Sequence, residues 1–284
     1  MKRCRGVALL LVMWLTMLLA AVVGTFALAA QTEKMQGRTL SRGVAAEEVA
    51  RAGVEYALTR ITEQDPKRQW QPDGRDYDWS FDGAQVRVTI VDESGKVDLN
   101  TADVGLLTQL FIVVGVDRVQ ASSLATAIAD WRDVDDLTQP QGGAEDPAYA
   151  SAGLPWGAKD APFDTVAELE QVLGMTPRIY ARVAPLLTVY SGQQRPEPQF
   201  ASGEVLQALG VDPAPILARR NARVPSPEAS LLGGGSGTYS IDSRARLRDG
   251  RQAVLRVVVR AGISGVPGSS YTALRWEQGA ATPR

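Results

Sequence analysis

The chain has no histidine at all and a single cysteine, Cys4. These absences exclude a Ser/His/Asp triad, a Cys/His dyad and any zinc site built on His or Cys clusters. A bound metal would have to be held by oxygen, which selects hard cations such as calcium. No disulfide can form within the chain, yet 284 residues can bury a core that does without one. Positive charge is not in excess either. The 30 Lys and Arg face 32 Asp and Glu, a formal net charge of −2, so there is no general basic coat for nucleic acid. With 45% hydrophobic and 22% charged residues, the composition excludes a disordered or collagen-like chain. The length suits one large domain or two modest ones.

What is present begins at the N-terminus. Lys2, Arg3 and Arg5 precede an uncharged run of 24 residues, Val7 to Ala30. As a helix it spans roughly 36 Å at ~1.5 Å per residue, enough to cross a bilayer with some tilt. The cations on its short side keep that end cytoplasmic, which puts everything after Gln31 on the other side. Three readings fit. A cleaved secretory signal could use Ala27-Leu28-Ala29, although the run is long for one. A plain membrane anchor is the second. In the third, the junction Arg5-Gly6-Val7 resembles the leader of type IV prepilins and pseudopilins, cut after Gly6 with the helix retained.

Beyond the membrane, Val54, Leu58 and Ile61 recur at helical spacing among Glu47, Glu48, Arg51, Glu55 and Arg60, until Asp65-Pro66 ends the pattern. Strand signals follow. Val86, Val88 and Ile90 alternate with polar residues in Ala84–Asp92. Near the C-terminus, after the glycine-rich connector 233–237, three more strands read as Thr238–Leu247, Ala253–Ala261 and Ser270–Glu277, with a hairpin at Arg248-Asp249-Gly250-Arg251. One strand thus precedes a long helical block and three follow it. The expected fold class is α+β: a long N-terminal helix packed on an antiparallel sheet, with a large helical subdomain inserted between strands. The expected divisions are a leader at 1–6 and a spine helix at 7–62, of which 7–30 is transmembrane. The sheet would be built from 63–97 and 226–284, and the inserted helical subdomain from 98–225.

Within the block, Thr101 is the expected N-cap of a first helix with Asp103 in its first turn. A second helix runs from about Asp117 to Trp131. Helix, short glycine turn, helix is the helix-hairpin-helix pattern. A second copy runs from Thr165 through Leu173-Gly174-Met175-Thr176-Pro177 to Leu187, and a third, weaker one occupies Gly203–Ala218. Such units often bind the DNA backbone. Between Asp98 and Gly192, however, five cations face thirteen carboxylates, a net charge of −8, which repels phosphate. A packing module is the competing reading, and the charge favours it.

The sharpest constellation is acidic. Asp130, Asp133, Asp135, Asp136, Glu145 and Asp146 lie within 17 residues of a loop containing Pro140, Gly142 and Gly143. Such a charge density needs either a cation or solvation. Calcium, with its six to eight oxygen ligands, suits it, and the spacing is not that of an EF-hand. The candidate ligands are Asp133, Asp135, Asp136, Glu145 and Asp146, with Asp130 ranked below them because it falls on the preceding helix. The other reading is a solvated loop. No constellation resembles a substrate site, so an enzyme is not expected.

These features coincide in one family. Arg5-Gly6-Val7, the spine, Asp92–Asn100, Asp130–Asp136, Gly142–Asp146 and Leu173–Pro177 together resemble the type II secretion system minor pseudopilin K family, closely to about residue 192 and more loosely beyond. Where the family often repeats an Asn-Thr-Ala helix opening, this chain reads Phe200-Ala201-Ser202-Gly203-Glu204, so the family's calcium sites transfer more securely to the acidic cluster than to that segment. Most pilins carry Glu as the fifth residue after the cut. Counted from Val7, that residue is Leu11, an exception this family shares. The resemblance implies processing at Gly6 and Val7, a single-pass inner-membrane protein with a periplasmic bulk, and bound calcium. It also implies a tip complex with the I- and J-type minor pseudopilins, which helps initiate the pseudopilus and export folded proteins across the outer membrane. The major pseudopilin, the prepilin peptidase and inner-membrane lipid are further implied partners, and nucleic acid is not. The alternative is a membrane-anchored helix-hairpin-helix DNA receptor of the competence type, to which Leu99-Asn100-Thr101-Ala102-Asp103 is similar.

Overall fold

A computed structural model describes residues 5–139, 142–221, 235–262 and 271–279, with the side chains of 5–8 and 32–42 excepted. Cys4 and the rest of leader residues 1–4, Pro140, Gly233, Gly234, Ser270 and the 225/226 division lie outside the described residues.

One helix, α1, runs from Arg5 to Ile61. Its Leu9–Gln31 stretch is exposed throughout, has a mean hydropathy of 2.4 and is long enough to cross a membrane. The second half is amphipathic. Ala46, Ala50, Val54, Ala57, Leu58 and Ile61 are buried against a sheet, while Glu47 and Glu48 stay exposed. Small residues on this stripe let helix and sheet approach closely. At Gly53 an added Cβ would sit 2.3 Å from Ser243 Oγ and 2.8 Å from Val86 Cγ1.

The sheet comprises β1 (Asp73–Phe81), β2 (Ala84–Asp92), β5 (Thr238–Arg246), β6 (Gln252–Ala261) and β7 (Tyr271–Gly279), all antiparallel neighbours in that order. Val86, Val88, Ile90, Ile241, Leu255, Val257 and Val259 face α1. The opposite face is polar, with Arg87 paired to Asp78 and both Arg244 and Arg256 paired to Asp242. The hairpin at 248–251 forms as its Asp-Gly signal predicts, closed by Leu247 N–H donating to Arg251 O at 2.9 Å.

Two strands, not one, precede the helical block. The sequence reading misses β1, Asp-Gly-Arg-Asp-Tyr-Asp-Trp-Ser-Phe, because its outward positions carry residues that disfavour strands. Its pairing to β2 and its inward aromatics override that propensity. Tyr56 of α1 stacks on Trp79 at 4.3 Å between centroids, and Trp70 stacks on Tyr77 at 4.4 Å.

Between β2 and β5 the chain builds a second hydrophobic cluster around Leu107, Phe111, Leu124, Ile128, Tyr149, Leu169 and Leu206. Its elements are a two-residue strand β3 (Val97–Asp98), helices α2 (Val104–Val113), α3 (Arg118–Arg132), α4 (Asp146–Ser151) and α5 (Pro177–Val183), strand β4 (Leu187–Thr188) parallel to β3, and helices α6 (Gly203–Ala208) and α7 (Pro213–Asn221). Three helix–turn–helix units are present: α2–α3, a 3₁₀ segment Val166–Gln171 followed by α5, and α6–α7. The first and third turns close alike, Val116 N–H donating to Phe111 O and Val211 N–H to Leu206 O, both at 2.9 Å.

The first helix starts later than expected. Asp103, not Thr101, is its N-cap, accepting from Leu106 N–H at 2.7 Å. Thr101 instead donates to Gln193 O at 2.6 Å. The preceding Asp98-Leu99-Asn100 is a polar staple. Asp98 accepts from Asn100 N–H and Gly192 N–H, both at 2.8 Å, and the Asn100 amide pairs with both backbone groups of Phe163.

The chain leaves and re-enters the sheet at one end, because Asp92 of β2 lies opposite Tyr239 of β5. Buried acids fix this junction. Asp92 accepts from Ser94 and Ser236, while Glu93 accepts from Lys96, Thr188 and Ser240. Along α1, Ala50 lies beside Ala253 at the start of β6, and Glu55 accepts from Tyr271, whose register partner is Ala261 at the end of β6. The membrane-length segment therefore departs from one pole of the sheet and the helical block sits on the other.

Candidate metal centre

The acidic loop is anchored at both ends by helices. Asp130 sits in the last turn of α3, Asp133 caps its C-terminus, and Glu145 is the residue before α4 but makes no capping bond. One carboxylate oxygen from each of Asp130, Asp133 and Glu145 lies within 4.8 Å of the others. Asp130 is fully buried, accepting from Ala144 N–H at 2.7 Å and Gln139 N–H at 3.3 Å. Gly143 makes this possible, since a Cβ there would fall 1.8 Å from Asp130 Oδ2. Thr126 Oγ1 donates to Gly142 O and holds the loop's far end to α3.

Three side-chain oxygens here are buried without a hydrogen-bond partner in the protein: Asp133 Oδ1, Glu145 Oε1 and Asp160 Oδ1. Burial pushes the Asp130, Asp133 and Glu145 carboxyls up from their ordinary values, with neighbouring carboxylates adding to the effect; Glu145 reaches about 7. Converging carboxylates with unpartnered oxygens are a donor set that a hard cation completes. The residues present fit calcium.

Of the five candidate ligands, the fold brings together Asp133 and Glu145. Asp135, Asp136 and Asp146 are exposed. Asp135 accepts from Leu137 N–H at 2.9 Å, and Asp146 from Ala158 N–H at 3.1 Å. The third member of the cluster is Asp130, which sequence reasoning ranked lower for being helical. A last-turn residue overhangs the loop that follows, and that signal could have found it. Asp160, in the left-handed region at φ 52°, carried no sequence signal. At the processing junction, Gly6 and Val7 lie in the helical backbone of α1.

A membrane-length helix laid on an antiparallel sheet, with a helical block at the far pole, defines a pilin-like class of protein. Residues 88–197 match the family described as type II secretion system (T2SS), protein K. Over that stretch the chain is similar to the protein K family, as its motifs indicate. It is 28% identical over 204 residues to a putative type II secretion system protein K of Escherichia coli K12, across 65% of this chain and 62% of that protein. It is 29% identical over 142 residues to the type II secretion system protein K of Pseudomonas aeruginosa, across 46% of this chain and 42% of that one. The chain thus spans less than two thirds of the length of these relatives. The fold matches a chain of the crystal structure of the GspK–GspI–GspJ complex from enterotoxigenic E. coli with a TM-score of 0.62, covering 87% of this chain and all of that one at 16% identity.

Proposed function

We propose that the protein is the minor pseudopilin at the tip of a type II secretion pseudopilus, where it helps initiate assembly and so supports export of folded proteins across the outer membrane. The observation that carries this reading is polarity. The membrane-length helix leaves one pole of the sheet and the helical block occupies the other. A block of that size above the sheet obstructs addition of a further subunit there, whereas the spine below remains free to pack. Leu11 fits the same place, because a tip subunit has no neighbour above whose N-terminal amine needs a carboxylate.

In this reading the inner membrane holds α1 and the periplasm holds the bulk. The partners are the I- and J-type minor pseudopilins, as in the complex of the structural relative, together with the major pseudopilin. The two hydrophobic clusters support treating the helical block as a subdomain inserted into the sheet domain. The role is non-enzymatic. Calcium is proposed at the acidic cluster, with Asp130, Asp133 and Glu145 as its nucleus and Asp160 in reach of its field.

Prepilin peptidase is proposed to cut after Gly6. Mass spectrometry of the mature N-terminus should find Val7, and Gly6→Leu should leave a longer precursor in the membrane and stop secretion. A mature chain beginning near Gln31, or an uncut one, would reject the prepilin reading.

A further inference from the structure

Beside the metal centre, Trp131, Trp156, Gly157, Lys159, Asp164 and Gln171 line an open cleft of about 440 Å³. Trp156 is 43% exposed and its ring has no stacking partner among the described residues. The ring is nonetheless held in place, because its Nε1–H donates to Gln171 O at 3.1 Å. A large aromatic face kept exposed by a hydrogen bond to the backbone is ready to receive a flat apolar surface.

The polar groups around it restrict what that surface belongs to. Lys159 Nζ spends all three donors inside the protein, on Pro162 O at 2.8 Å, Asp164 Oδ2 at 2.6 Å and Glu168 Oε2 at 2.7 Å. Among the described residues lining the cleft, no free cation remains to recruit an anion. Asp164 is 84% exposed in its side chain and offers its other oxygen as an acceptor. The exposed Gln171 amide can both donate and accept. An exposed amide and an exposed carboxylate beside a part-exposed indole match a ring that has one apolar face and an equatorial rim of hydroxyls.

We propose that this cleft is a saccharide subsite taking one pyranose of a glycan, the ring stacked on Trp156 and its hydroxyls bonded to Asp164 and Gln171. Because the cleft is open, it accepts an internal unit of an extended chain. The same chemistry is shared by N-acetylhexosamine strands of the cell-wall type and by neutral hexose polymers.

Titration of the full-length detergent-solubilised protein with chitotetraose and with cellotetraose, read by tryptophan fluorescence and saturation-transfer NMR, tests this. Saturable binding of at least one of them is expected. Preference for chitotetraose assigns the wall-type source, and preference for cellotetraose the neutral polymer. Trp156→Ala should weaken binding about tenfold, and Asp164→Asn, at an exposed position, should weaken it several-fold. No saturable signal with either sugar would overturn the proposal. So would unchanged affinity in both variants, or a response to tetra-arginine in place of the sugars.

Discussion

At the scale of single residues, the acidic cluster is where charge, burial and geometry conflict most. Asp130, Asp133 and Glu145 are drawn together by the ends of two helices, and the unpartnered Asp133 and Glu145 oxygens leave the repulsion only partly compensated by protein donors. The consequence is a pH dependence of defined sign. Glu145 holds its proton in the folded state up to about 7 against an ordinary 4.5, so across that window the folded protein binds more protons than the unfolded chain. Stability of the metal-free protein must then fall as pH rises through the window and level off above it. Melting in chelator at pH 5 and pH 7.5 checks this, with the higher melting temperature expected at ~pH 5. Calcium at neutral pH should raise the melting temperature, by ~2.7 kcal/mol of stabilisation at ~100 times its dissociation constant. Magnesium, which resists dehydration, should do so poorly. Asp130→Asn should remove the calcium effect and Asp135→Ala should leave it. Identical melting in calcium and chelator would return the cluster to a solvated loop. The density of carboxylates was legible in the sequence, but which of them converge was not. The overhang of α3's last turn could have pointed to Asp130, but the room that Gly143 gives it is not revealed by spacing.

At the scale of elements, strong periodic signals survived and weak ones were decided by neighbours. The Val86-Val88-Ile90 alternation and the Asp249-Gly250 turn carry their own geometry and appear as expected. Strand β1 does not, because Tyr77 and Trp79 are held by stacking on Trp70 and Tyr56, which lie outside the strand. The N-cap moved from Thr101 to Asp103 for a similar reason, since the Thr101 hydroxyl is engaged by Gln193, distant in sequence. Close contact between α1 and the sheet rests on Gly53, where a larger residue meets Ser243 and Val86 on a rigid sheet. Gly53→Val should cost ~1–3 kcal/mol in chemical denaturation, while Val44→Ala, at an exposed position of the same helix, should cost little. Equal effects would mean that the helix does not pack as described.

At the scale of the whole molecule, the proposed function rests on the two poles. The block beyond Asp98 looks like a nucleic-acid module by its helix–turn–helix units and contradicts that role by its charge of −8 between Asp98 and Gly192. The full chain should therefore give no mobility shift with duplex DNA at low salt, and salt-sensitive micromolar binding would revive the competence-type alternative. The junction is tied by buried Asp92 and Glu93 and half-buried Lys96, all hydrogen-bonded, so the block should move with the sheet as one piece. The most direct test is to co-express the processed chain with the I- and J-type minor pseudopilins of its own secretion system and weigh the purified assembly by native mass spectrometry. The account predicts a complex holding one copy of this chain with both partners. Recovery of this chain alone, with the two partners joined without it, would contradict the account.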